Sequence, residues 1–159
     1  MVSIVTSYHN DRQKFEHFWM PLMYKHHEIE FVFVDNESKE WPIKQICPEL
    51  PNIKTFTISH TKNQSTLQNF GVRQATREIV YLTSIDYIPT YQTMILLPQI
   101  KTQDNVILLS HIQSEGLPES NSFAVVKSKY LKSLSLKRYI SVNNPNILRV
   151  GGVYDVNNT

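Results

Sequence analysis

The sequence predicts an α/β domain, Rossmann-like in layout, with a mainly parallel central sheet flanked by helices. Three observations carry this. "IEFVFVD" (29–35) and "EIVYLTS" (78–84) are apolar at successive positions, as strands buried on both faces are. Segments with helical spacing separate the strand-like runs, the signature of βαβ units. The chain has 159 residues, 41% of them hydrophobic and 19% charged, which suits one domain (1–159) with a real core.

The elements follow in order. "VSIVTSY" (2–8) is β-branched and aromatic, hence a strand. Asn10 or Asp11 can cap the helix that follows. Phe15, Phe18, Trp19, Leu22 and Met23 then share one helical face, and Pro21 is expected to kink that helix or end it early. After the second strand (29–35), "NIKTFTIS" (52–59) is a third. "STLQNFGVRQAT" (65–76) reads as a helix with Ser65 as N-cap and Leu67, Phe70, Gly71 and Ala75 on one face. The strand over 78–84 comes next, closed by a turn at Pro89. "YQTMILLPQI" (91–100) is helical, "NVILLS" (105–110) and "SFAVVK" (122–127) are strands, and "SKYLKSLSL" (128–136) is a short helix. The last stretch, "NNPNILRVGGVYDVNNT", is rich in Asn and Gly and reads as loop or a frayed end.

Bulk properties exclude several classes. With 16 basic and 14 acidic residues the net charge is +2, and no basic run forms a nucleic-acid footprint. The densest patch, Lys127, Lys129, Lys132, Lys137 and Arg138, reads first as a solvated helix face and second as a contact for a diphosphate or an acidic acceptor. The single cysteine, Cys47, rules out a disulfide framework and points to a reducing, cytoplasmic setting. No apolar run is long enough to cross a bilayer, and no signal peptide is expected. The histidines, including His9, His17, His26, His27, His60 and His111, show no metal-ligand spacing.

In open α/β sheets, ligands bind beyond the carboxyl ends of the strands. That edge would gather Thr6, Ser7, Tyr8 and His9 from the first strand, and Asp35, Asn36, Glu37 and Ser38 from the second. Thr83, Ser84 and Asp86 come from the fourth. Each has a plain reading beside the functional one. Asp86 closes a turn or holds a metal. Asp35 makes an Asx-turn or contacts a nucleotide. Tyr8 packs at the core edge or stacks on a base, and Thr6 ends a strand or frames that base.

Taken in order, "VSIVTSYHND", "EFVFVDNES" and "QNFGVRQATREIVYLTSID" resemble the nucleotide-binding half of family-two glycosyltransferases with the GT-A fold, over residues 2–90. "RVGGVYD" (149–155) is similar to the Gly-Gly-(aromatic)-Asp turn of such enzymes, which makes residues 91–159 a shortened acceptor-side half. The resemblance implies a metal-assisted, inverting transfer of a sugar from a nucleotide-diphosphate donor, UDP-linked by preference, to an acceptor hydroxyl. It assigns Thr6, Ser7, Tyr8, Asp35, Asn69 and Ser84 to the nucleotide, and Asp86 to a divalent cation, Mn²⁺ or Mg²⁺. Asn69 and Gly71 match an Asn-x-Gly helix motif, although Gln68 stands where the family usually has Arg. The metal element keeps one acid, since the stretch reads Thr83, Ser84, Ile85, Asp86. The catalytic base is expected to be a loop acid, Asp155 or Glu115, with Glu119 a further candidate, or else to lie on a segment outside this sequence. The alternative is a degenerate GT-A domain that binds a nucleotide or a partner without turnover. A nucleotidyltransferase is disfavoured, because "TSYHND" holds neither Gly nor Lys for a phosphate loop.

Overall fold

The computed structural model describes residues 1–77, 79–89, 91–99, 107–113, 122–127 and 147–155, without the side chains of 65, 92, 96 and the last three stretches. β1 (Val2–Tyr8), β2 (Glu30–Asn36), β3 (Ile53–Ile58) and β4 (Ile79–Ser84) run parallel to one another in the order β3-β2-β1-β4. Every residue of β1 and β2 is buried, which explains their unbroken apolar runs. β3 is the edge strand and is only half-buried, in keeping with its Lys and Thr content.

Beyond β4 the sheet continues through β7 (Ser122–Lys127), β6 (Ile107–Gln113), β8 (Ile147–Asp155) and β5 (Tyr87–Pro89). β7 pairs antiparallel with both β4 and β6, β8 pairs parallel with β6, and β5 closes antiparallel on β8.

Both faces of the parallel unit are covered. On one face, Phe15, Trp19 and Met23 are fully buried, and the rings of Phe15 and Trp19 meet Phe33 edge-on at centroid distances of 5.3 and 5.7 Å. On the other face lies α4 (Gln64–Gln74), packed on β1 and β2. Gly71 is what allows that approach. A Cβ there would run into the Val5 side chain and come within 3.0 Å of Val34 Cγ2. Val5 and Val34 alternate with Ile4 and Phe33, so the two helical layers sit on opposite sides of the same strands.

Several sequence expectations change. Asp11, not Asn10, caps α1 (Arg12–Lys14), with its side chain accepting from the Lys14 amide. Asn10 instead takes a left-handed backbone, with φ 46°. Pro21 does not end the helix. A π-helical turn (Phe15–Trp19) precedes it, and α2 (Met20–Lys25) runs on with Pro21 in its first turn, where a missing N–H costs little. A short α3 (Ile43–Ile46) was not expected. α5 (Tyr91–Leu96) gives way to a 3₁₀ turn (Leu97–Gln99) at Pro98 rather than continuing to residue 100. Pro89 closes an edge strand, β5, not a turn. The C-terminal stretch expected as loop carries β8. The β6–β8 register shifts between Leu109 and His111, where Val150 and Gly151 together face Ser110, so the strand carries a bulge beside Gly152. The helix expected over 128–136 lies outside the described residues.

Candidate functional site

Register fixes the geometry of the ligand edge. Tyr8 stands opposite Asp35, and Ser7 opposite Ser84. The Ile85 amide donates to the Ser7 carbonyl at 2.9 Å, carrying the β1–β4 ladder one step past the strand. The carboxyl ends of β1, β2 and β4 therefore form one rim. Above it opens a cavity of about 560 Å³. Ser7, Tyr8, Asn36, Ser84 and Asp86 line it, joined by Lys14 of α1 and its N-cap Asp11 and by Gln64 and Gln68 from α4.

The candidate residues fall into two layers. Ser7, Ser84 and Asp86 reach the cavity, and Ser7 Oγ accepts a hydrogen bond from the Gln64 amide group. Tyr8 contributes to the wall, but its hydroxyl turns away and donates to the Trp41 carbonyl at 2.7 Å. Burial, then the negative charge of Asp35, raise the pKa of that phenol far above its ordinary value, so it stays protonated.

Asp35 and Thr6 lie below the rim and are fully buried. Asp35 Oδ1 accepts from the Ser38 amide at 2.8 Å and Oδ2 from the Ile43 amide at 2.9 Å. The carboxylate thus folds the 36–43 loop around itself, as an Asx-type residue does. Thr6 Oγ1 has no hydrogen-bond partner among the described residues. Asn69 is half-buried on α4 and does not line the cavity. Asp155 is on β8, where the β5–β8 ladder pairs it with Tyr87, the residue next to Asp86. Glu115 and Glu119 fall outside the described residues.

The rim is stitched by short polar contacts. Asn36 Nδ2 donates to the Thr61 carbonyl and Asn36 Oδ1 accepts from the Thr61 amide, both at 2.8 Å. Asn10 Oδ1 accepts from the amides of Glu40 and Trp41, each at 3.1 Å. These contacts tie the loops after β1, β2 and β3 into one frame.

Lys14, Asp11 and Gln64 escaped the sequence reading as cavity residues. Lys14 Nζ donates to Asp86 Oδ1 at 2.6 Å and lies 3.0 Å from Asp11 Oδ2. Burial pulls the pKa of its ammonium down, but the hydrogen bonds to Asp86 and Asp11 more than offset this, and the group is held above its ordinary value. The sequence signal was present: a lysine three residues after an N-cap, on a helix that starts where a central strand ends, is delivered to the strand rim.

The donor set bears on a divalent ion at Asp86. Among the described residues, no group of three His, Cys, Asp or Glu is arranged to hold a metal. The one carboxylate assigned to the ion already takes the Lys14 ammonium. As arranged, these residues do not fit a tightly held Mn²⁺ or Mg²⁺, which asks for several oxygen ligands. No helix among the described residues is long and apolar enough to cross a membrane.

No protein-family model matches the chain, and no curated protein matches its sequence. Solved structures do match its fold. Residues 1–349 of TarS from S. aureus superpose with a TM-score of 0.71 at 16% identity, covering 96% of this chain and 59% of that one. The mannosyltransferase PcManGT from Pyrobaculum calidifontis, in complex with GDP-Man and Mn²⁺, gives 0.72 at 13% identity, covering 98% and 56%. TarS 1–349 in complex with UDP-GlcNAc gives 0.66 at 17% identity, covering 83% and 46%. The chain spans 46–59% of the length of these proteins and shares with them a GT-A-like α/β fold.

Proposed function

We propose that this domain binds a nucleotide sugar, UDP-linked by preference, in the cavity above β1, β2 and β4, and transfers the sugar to an acceptor hydroxyl. The observation that carries the reading is the convergence of Ser7, Asn36, Gln64, Ser84 and Asp86 on one cavity at the carboxyl ends of parallel strands. Ser7, Asn36 and Gln64 supply hydrogen-bonding groups for the nucleoside, and Tyr8 a wall. Thr6, Asp35 and Asn69 act from beneath or beside it, with Asp35 holding the loop that carries Asn36 and Ser38. Ser84 and Asp86 border the diphosphate end. The same fold in proteins solved with UDP-GlcNAc or with GDP-Man supports the choice of ligand.

Transfer with inversion needs a base. Asp155 is the one candidate among the described residues, and its register partner, Tyr87, adjoins Asp86. It would take the acceptor's hydroxyl proton as the oxygen bonds to the anomeric carbon. The bond from that carbon to the phosphate oxygen breaks at the same time, and its electron pair leaves with the diphosphate. The described donors do not fit the divalent ion that the family resemblance implies.

A thermal shift series with nucleoside diphosphates tests binding. UDP at a hundredfold excess over its dissociation constant should stabilise the native state by about 2.7 kcal/mol. Release of UDP from a panel of UDP-sugars then tests turnover. No shift with any nucleoside diphosphate would contradict the reading. A shift without UDP release would favour the alternative, a nucleotide-binding domain without catalysis. The single acid of the Thr83–Asp86 stretch, already paired with Lys14, is the observation that keeps it in view.

A further inference from the structure

We infer that the cavity beside Trp41 is a second ligand site and that it takes a neutral sugar, stacked on the indole. The inference does not rest on the nucleotide reading. A space of about 420 Å³ is lined by Trp41 of the loop after β2, by Asn10 and Asp11, and by Arg12, Gln13 and Glu16 of the helix that follows β1. Small-ligand sites have about this volume and combine an aromatic wall with a few placed polar groups. Trp41 is 36% exposed, whereas Trp19 is fully buried. Its main chain is fixed from two sides: the amide donates to Asn10 Oδ1 at 3.1 Å, and the carbonyl accepts from the Tyr8 hydroxyl at 2.7 Å. The ring is therefore presented to the cavity on a prearranged backbone, which lowers the ordering cost of binding. The Arg12 guanidinium lies 4.8 Å from the ring centroid, and Arg12 Nε donates to Glu16 Oε1 at 2.6 Å. Both side chains are well exposed, and exposed pairs of this kind hold weakly, so Arg12 is a movable cover over part of the indole.

Charge and shape select the ligand. Asp11 is already engaged, with Oδ1 accepting from the Lys14 amide and Oδ2 lying 3.0 Å from Lys14 Nζ. What remains is one guanidinium paired with one carboxylate, so the cavity has no excess positive charge to draw a phosphate. Its polar groups are mixed instead. Arg12 offers only donors, Glu16 only acceptors, and Gln13 both. Asn10 Oδ1 accepts from the amides of Glu40 and Trp41, which fixes the plane of its side-chain amide and the direction of its Nδ2 donor. A pyranose matches this set. Each rim hydroxyl both donates and accepts, and the C–H face of the ring packs on the electron-rich face of an indole.

Ligand-observed NMR on the full chain, with maltose, cellobiose, mannobiose and chitobiose at millimolar concentration, tests this without nucleotide. At least one disaccharide should bind saturably. Trp41→Ala should weaken it about tenfold or more, because the stacking surface is gone while the main-chain bonds of residue 41 remain. Glu16→Ala, an exposed substitution that guards against misfolding of the first variant, should weaken it about threefold or more by removing a hydroxyl acceptor. Trp41→Phe should keep most of the affinity. No saturable binding by any of the four would overturn the inference, as would binding that both Trp41→Ala and Glu16→Ala leave unchanged. Inorganic phosphate is the counter-probe, and phosphate binding lost in Trp41→Ala would overturn the assignment to a neutral ligand. A parallel titration with UDP separates the two ideas. Disaccharide binding that depends on Trp41, with no UDP binding anywhere, would end the nucleotide reading and leave this site standing, and the converse result would end this one alone.

Discussion

Asp35 is enclosed, and the amides of Ser38 and Ile43 occupy its two oxygens. Asp35→Ala would leave both N–H groups without their acceptor and should cost roughly 3 kcal/mol, read as a lowered urea midpoint at unchanged slope. Tyr8→Phe removes only the bond to the Trp41 carbonyl and should cost about 1 kcal/mol, leaving the ring packed against Phe15. The contrast shows what was legible at this scale. Strand order put Tyr8, Asp35 and Asp86 at a common edge, and they are there. Which way each side chain turns depended on the 36–43 loop and on α1, and no strand pattern carries that information. Lys14 was missed for the same reason, since its partner Asp86 is 72 residues away in sequence.

Among the elements, α4 has the sharpest steric constraint. Gly71→Ala would drive a methyl group into Val5, with Val34 at 3.0 Å, and push the helix off β1 and β2. The expected cost is about 1–3 kcal/mol, measured by chemical denaturation, together with weaker nucleotide binding because α4 carries Gln64 and Gln68. The element pattern was largely readable: β1 and β7 match their predicted spans, and β2, β3 and β4 fall within a residue or so of theirs. The failures have physical causes. Pro21 was expected to kink the helix or end it early; it does not end it, because it falls in the first turn of α2, after a π turn. The Asn- and Gly-rich segment was expected as loop or a frayed end, but Gly151 sits in a bulge and the β-branched and aromatic residues around it extend as β8.

Across the whole molecule, the two ends of the parallel sheet do different work. At the end away from the cavity, Glu30 is buried and tied to β1, to β3 and to the turn after α4. It accepts from Ser3, from the Thr76 amide at 2.9 Å and hydroxyl at 2.6 Å, and from Lys54 at 2.8 Å. Burial alone would raise its pKa, but the bonds from Lys54, Ser3 and Thr76 win and lower it to about 2. A carboxyl whose pKa is lower in the folded state stabilises the fold above its unfolded value, here about 4.5, and loses that contribution as pH falls towards about 2. Denaturation at pH 7 and at pH 3 should therefore show a marked acid loss. Glu30→Gln should remove roughly 3 kcal/mol at pH 7 and flatten that dependence, and an unchanged slope would assign the acid sensitivity elsewhere.

The opposite end holds the cavity on which the functional reading turns. Its most direct measurement is the difference density in a crystal soaked with UDP. The account predicts a nucleotide above β1, β2 and β4, with polar contacts to Ser7, Asn36 or Gln64 and its diphosphate towards Lys14 and Asp86. An empty cavity at millimolar UDP, or a nucleotide bound on another face, would contradict it.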